Sequence, residues 1–182
     1  MADKGSRKEK REARLRDITQ DASGKVVYTG ELWRIGDTNG PGSGLRQRML
    51  LIASLGALAL IVFGSGCIDA KNAMGSFYVV LPYIGEVSAL FGLAWNAMKV
   101  IYTGDGIKTY ALEHAKPRIP GACRILSVFA GAGLILSALY IVLNGIGDNP
   151  ADSIAYLLLK FAAAVLAEWY RRLFLSTQWE SK

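Results

Sequence analysis

The sequence is poor in the side chains that most catalytic and metal chemistry uses. Among 182 residues there is one histidine, His114, and two cysteines, Cys67 and Cys123. A histidine with no companion ligand makes no metal centre, so His114 reads as an interfacial polar group and no metal is expected. There is no CxxC pair, which argues against a membrane thiol oxidoreductase. No GxxxxGK[ST] phosphate loop, HExxH helix, zinc-ligand spacing or nucleophile elbow occurs. No residue is nominated for catalysis, and no cofactor is expected. Gly64-Ser-Gly-Cys67 has the outline of a lipoprotein processing site, but glycine rather than leucine stands three before the cysteine. The long polar stretch ahead of the first apolar run also argues against a cleaved signal.

Charge is scarce where it would matter most for a soluble fold. Charged residues make up 20% of the chain against 52% hydrophobic, and nearly all of them lie outside four apolar runs. That pattern excludes an ordinary soluble enzyme, a disulfide-rich secreted scaffold and a mostly disordered chain. A membrane-crossing helix needs about 20 mostly apolar residues, and such a segment must satisfy its own backbone N–H and C=O groups. Spans are expected over 49–68, 81–102, 121–144 and 153–175. The first carries no charge, and the others hold only Glu86, Lys99, Arg124, Lys160, Glu168 and, at the end of the fourth, Arg171 and Arg172. The expected fold class is all-α: a four-span transmembrane bundle in antiparallel up-down order, with a short cytoplasmic N-terminal arm.

Local signals refine the ends. Asn149-Pro150-Ala151-Asp152 reads as an N-cap Asn, a proline at the first helical position and an acid facing the positive helix end. Pro82 is placed in the first turn of a second span that starts near Leu81, after a short interfacial piece rich in aromatics (Phe77, Tyr78, Tyr83); the alternative is a helix that starts at Ser76 and bends at the proline. Orientation follows the basic residues. Of 21 Lys and Arg, 19 fall before the first span, around the loop between spans two and three, or near the C-terminus. Those segments belong on one side, so both termini are expected to be cytoplasmic, with the chain in a cell inner or plasma membrane.

The polar parts divide into a basic tail at 1–20, an arm at 21–48 and a tail at 177–182, flanking a membrane domain at 49–176. Arg7, Lys8, Lys10, Arg11, Arg14 and Arg16 are candidates for contact with an anionic inner leaflet. Net charge of +6 alone does not make a nucleic-acid site, and no zinc spacing or aromatic-interleaved basic patch supports one. Residues 25–35 are rich in β-branched and aromatic side chains and read as a strand that must pair, dock or lie on the membrane. A Gly-rich linker follows to Gly44. Residues 104–119 read as a short interfacial helix, with Ile107, Tyr110, Ala111 and His114 on one face and Pro117 and Pro120 ending it. One heptad echoes another: Lys25-Val-Val-Tyr-Thr-Gly-Glu31 and Lys99-Val-Ile-Tyr-Thr-Gly-Asp105. The flanks do not continue the match, and it reads as coincidence or a shared interfacial stop.

An ionisable group inside a bilayer is a functional-site hypothesis by default, because an unpaired charge there is costly. Glu86 and Lys160 fall at similar depth, roughly 6–10 Å inside the outer boundary at 1.5 Å rise per residue, and can pair if their helices meet. Glu168 and Arg124 form a possible inner pair, and Asn96 and Asn144 are candidates for hydrogen bonds between helices. Small residues recur at four-residue spacing in Gly85-xxx-Ala89, Ser127-xxx-Gly131, Gly133-xxx-Ser137 and Ala163-xxx-Ala167. They favour a tight bundle. The functional expectation is a structural or accessory subunit of a membrane complex, partnered by lipid and by other subunits or its own copies. A small oligomeric ion- or solute-coupled transporter is the rival.

Overall fold

The structure, a computed structural model, describes residues 18–20, 26–37, 40–68, 76–101, 106–145 and 150–181. Four helices make up most of it: α1 (Ser43–Cys67), α2 (Phe77–Ile101), α3 (Thr109–Asn144) and α4 (Pro150–Leu175). All four are long and apolar enough to cross a membrane. Even the shorter ones, at 25 residues, reach about 37 Å, beyond the ~30 Å hydrocarbon thickness.

Each helix buries one stripe at three- and four-residue steps. On α4 it runs Tyr156, Lys160, Ala163, Ala167, Tyr170, Phe174, and on α1 Leu51, Ser54, Leu58, Val62, Ser65. These steps place the residues on a single face, as ridge-into-groove packing requires. α1 packs on α4, α4 on α3 and α3 on α2, while the seam between α1 and α2 is the thinnest. Helices α2 and α4 therefore face each other across a diagonal. Some of the small residues lie where the packing is close. Gly85 meets the Phe129 ring, where an added Cβ would stand 2.5 Å from Cδ1, and the Tyr83 hydroxyl fills the space where a Cβ on Gly66 would stand.

Two helix starts differ from expectation. Helix α2 begins at Phe77, not near residue 81, and the Ser76 carbonyl accepts the first N–H groups, from Val79 and Val80. The aromatic segment is thus its first turn. Pro82 is buried one turn further in, where its missing N–H leaves one carbonyl bond unmade. Helix α3 is continuous from Thr109 through Pro117 and Pro120, so no separate interfacial helix exists. The inward face is Leu112, Ala115 and Ile119, while Tyr110 and His114 are exposed. Each proline removes a bond to the carbonyl of Glu113 or Lys116, and both those residues are exposed. The three-turn buried face then outweighs the proline penalty of about 3 kcal/mol each, since burying one Leu or Ile contributes about 1.5–3 kcal/mol. Helix α4 does start at Pro150, with Asp152 in its first turn.

The arm holds two strands rather than one, interrupted at Thr29–Glu31. Strand β1 (Ile18–Gln20) pairs antiparallel with β2 (Val26–Tyr28), Ile18 opposite Tyr28. Strand β3 (Leu32–Ile35) forms the centre of a second sheet, between β4 (Ile107–Lys108) and β5 (Trp179–Ser181). Trp33 stands opposite Ile107 on one side and Ser181 on the other. This sheet ties together the segments preceding α1, preceding α3 and following α4. Trp33 reinforces it, donating from Nε1 to the Thr109 hydroxyl at 3.1 Å, and that hydroxyl donates to the Glu31 carbonyl at 3.0 Å.

The turn into α1 depends on backbone freedom at two glycines, Gly40 and Gly42, at φ of 112° and 84°. Gly42 offers no side chain to cap the helix; the Gly44 N–H instead donates to Asp37 Oδ1 at 2.8 Å. Asp37→Ala should therefore lower stability by about 1 kcal/mol and Asp37→Asn by much less, read as thermal unfolding in mild detergent.

Candidate functional site

The site is assembled from three helices. Two residues on α2, Pro82 and Glu86, lie one turn apart on its buried stripe, with Tyr83 beside them. Helix α3 contributes Gly133 and Ser137, again one turn apart, and α4 contributes Tyr156 and Lys160. The Lys160 ammonium donates to both oxygens of Glu86, at 2.8 Å each. Both side chains are 0% exposed. The ammonium also lies 4.7 Å from the Tyr83 ring centroid and 5.0 Å from that of Tyr156. Two of its three N–H groups are thus taken by the carboxylate, and aromatic faces surround the rest of the charge.

Since α2 and α4 are diagonal, something must let their side chains meet past α3. Gly133 does so. A Cβ there would come within 3.3 Å of Glu86 Oε1, 3.6 Å of Pro82 Cβ and 3.7 Å of Lys160 Cδ. The missing side chain is the space the ion pair occupies. Removing one partner of such a pair leaves an uncompensated buried charge, so the geometry can hold two helices at a fixed separation and register.

Near the pair are two buried hydroxyls, Ser137 Oγ and Tyr156 Oη. They face one another, and among the described residues neither hydrogen-bonds to any other group. The sequence singles out Ser137 only as a small packing residue and Tyr156 not at all; the available signal was their one-turn spacing from Gly133 and Lys160.

The other expected groups fall elsewhere. Glu168 does not pair with Arg124, which is exposed. Its carboxylate instead takes Arg171, at 2.7 and 2.6 Å, and Arg172, at 3.1 Å, from its own helix. Spacing of three and four residues favours that local arrangement over one across the bundle. Asn96 and Asn144 also stay within their helices: each Nδ2 donates to the carbonyl four residues back, Gly92 at 2.6 Å and Tyr140 at 3.1 Å. A carbonyl one turn away is always in reach, and neither side chain faces the bundle interior. A hydrogen bond between helices does come from Ser127, whose hydroxyl donates to the Ala164 carbonyl at 3.4 Å. Arg7, Lys8, Lys10, Arg11, Arg14 and Arg16 lie outside the described residues. Among the described residues, no three His, Cys, Asp or Glu side chains group as a metal site. Cys67 and Cys123 are both free thiols, the first exposed and the second buried.

No protein-family model matches the chain, and neither a curated protein nor a solved structure does.

Proposed function

We propose that the chain is a multi-pass membrane protein, inserted in up-down order with both termini cytoplasmic, and that it serves as a structural or accessory subunit of a membrane complex. The distribution of side chains supports insertion. Large apolar groups point outward on every helix, among them Leu60, Phe91, Val128 and Leu158, each more than 60% exposed. Ser54, Ser65, Ser137 and the Glu86–Lys160 ion pair, fully buried, point inward. Water would favour the reverse, whereas lipid tails solvate the outward face. The second sheet supports the alternation, since it draws the start of α1, the start of α3 and the end of α4 to one end. That end carries the basic flanks, which supports a cytoplasmic side for it.

The observation that carries the subunit reading is the Glu86–Lys160 pair. It closes on itself, two charges satisfying each other across the bundle diagonal, and it fits a part that holds its shape while others work around it. Partners are other membrane subunits or further copies, in a bilayer with an anionic inner leaflet; nucleic acid is not among them. Gentle extraction of the tagged native protein should recover distinct co-purifying membrane chains. Recovery of a clean homo-oligomer alone would count against it.

The two buried hydroxyls beside the pair, Ser137 and Tyr156, favour a second reading, an oligomeric ion- or solute-coupled transporter with the pair on its route. In that case Glu86→Gln abolishes coupled flux in reconstituted vesicles without changing assembly. In a subunit, the same variant alters assembly or abundance.

A further inference from the structure

A polar recess lies away from the ion pair, where α1 begins and α4 ends. A cavity of about 610 Å³ is lined there by Ser43, Arg46, Gln47, Leu50, Leu173 and Gln178, among others. We propose that it binds the phosphodiester headgroup of an anionic phospholipid, with Arg46 as the principal contact. This rests on the membrane reading above.

Most polar groups around the recess are already committed. The last carbonyls of α4 are used: Arg172 accepts from the Ser176 N–H, Phe174 from the Thr177 N–H, and Leu173 from both hydroxyls. Gln47 Nε2 donates to the Thr177 hydroxyl at 2.9 Å. The two nearest acids are engaged as well. Asp37 accepts from Gly44, and Glu180, which packs beside Gly36, stands 3.8 Å from Arg34. Among the described residues, Arg46 has no carboxylate partner. The Ser43 hydroxyl is buried with no hydrogen-bond partner, and the first turn of α1 carries no acid. What the recess still offers is a guanidinium that can only donate, a hydroxyl, and the Gln178 amide. An occupant with several anionic acceptor oxygens answers all three.

The walls decide the source of that anion. Leu50 is 40% exposed and Met49 61%, so apolar surface runs from the recess along α1 toward the middle of the bundle. Arg46 sits three residues before the expected start of the first span, at headgroup depth. A lipid uses both the charge and the apolar strip; free phosphate would use the charge alone.

The test reconstitutes the full chain in mixed phosphatidylcholine–phosphatidylglycerol vesicles and counts lipids retained after gentle solubilisation by native mass spectrometry. Arg46→Gln should lower the retained phosphatidylglycerol-to-phosphatidylcholine ratio about fivefold, the equivalent of ~1 kcal/mol for one basic residue at a membrane surface. Arg46→Lys should lose less, and Arg118→Gln, an exposed arginine on α3, should match the unaltered protein. If Arg46→Gln does not insert, Ser43→Ala combined with Gln178→Ala must lower the same ratio. An unchanged ratio, an equal loss in Arg118→Gln, or displacement of the lipid by millimolar inorganic phosphate overturns the proposal. Alkaline carbonate extraction of the same membranes separates the two failures: release of the unaltered protein would sink the membrane reading itself.

Discussion

Lys160→Met is expected to destabilise the protein by about 3–5 kcal/mol, because it strands a carboxylate with no cation at a position of 0% exposure. Glu86→Leu should cost a similar amount by stranding the ammonium. The double variant should recover most of the loss, since two apolar side chains of similar volume remove both desolvation penalties at once. Thermal unfolding in detergent, together with expression level, measures all three. Recovery in the double variant would identify the pair as a packing device whose charges matter mainly to each other. If both single variants kept wild-type stability, the two groups would have to reach water, and a closed pair would be the wrong description. If the double variant folded well but a flux present in the unaltered protein disappeared, the transporter reading would gain.

Gly133→Leu should be nearly as damaging, by a different route. Its Cβ would stand 3.3 Å from Glu86 Oε1 before any further atom is added. The branched end would then enter the volume that the carboxylate and the lysine stem occupy. Overpacking alone typically costs about 1–3 kcal/mol, and displacing the ion pair adds to it. Gly131, two residues earlier on the same helix, has nothing within 4 Å of an added Cβ. Gly131→Leu changes helix propensity and length of side chain equally, so it is the control. A large drop in unfolding temperature for the first and little change for the second is the expected pattern; equal effects would mean that close packing at Gly133 is not what holds α2 and α4 together.

How much of this was readable beforehand depends on whether the decisive interaction was local. The four helices come from long apolar runs, a signal that needs no partner, and the start of α4 at Pro150 follows from proline's fixed φ and missing donor. The depth of Glu86 and Lys160 was countable along each run. That they meet across a diagonal was not, because it depends on Gly133 of a third helix standing in the way with no side chain. Glu168 departs from expectation for the opposite reason: its partners, Arg171 and Arg172, are the nearest in sequence, whereas Arg124 lies on another helix. The sheet was only half visible. Residues 25–35 announced strand character, but β4 and β5 are two and three residues long and exist only because β3 lies between them. The echoed heptads make the same point, for Val26–Tyr28 is strand while Lys99–Ile101 ends a helix. Prolines 117 and 120 suggested a break that a buried face on both sides of them overrode.

The central claim is a four-helix membrane bundle whose two ends lie on opposite sides of the lipid, and native Cys67 offers the most direct test. It is exposed at the last position of α1, a full helix length from the second sheet, whereas Cys123 is buried. In intact cells, a membrane-impermeant maleimide should label Cys67, and a cysteine introduced in β5 as Ser181→Cys in a Cys67→Ser background should react only after the membrane is opened. Labelling of both positions in intact cells, or of neither until the membrane is opened, would contradict the account.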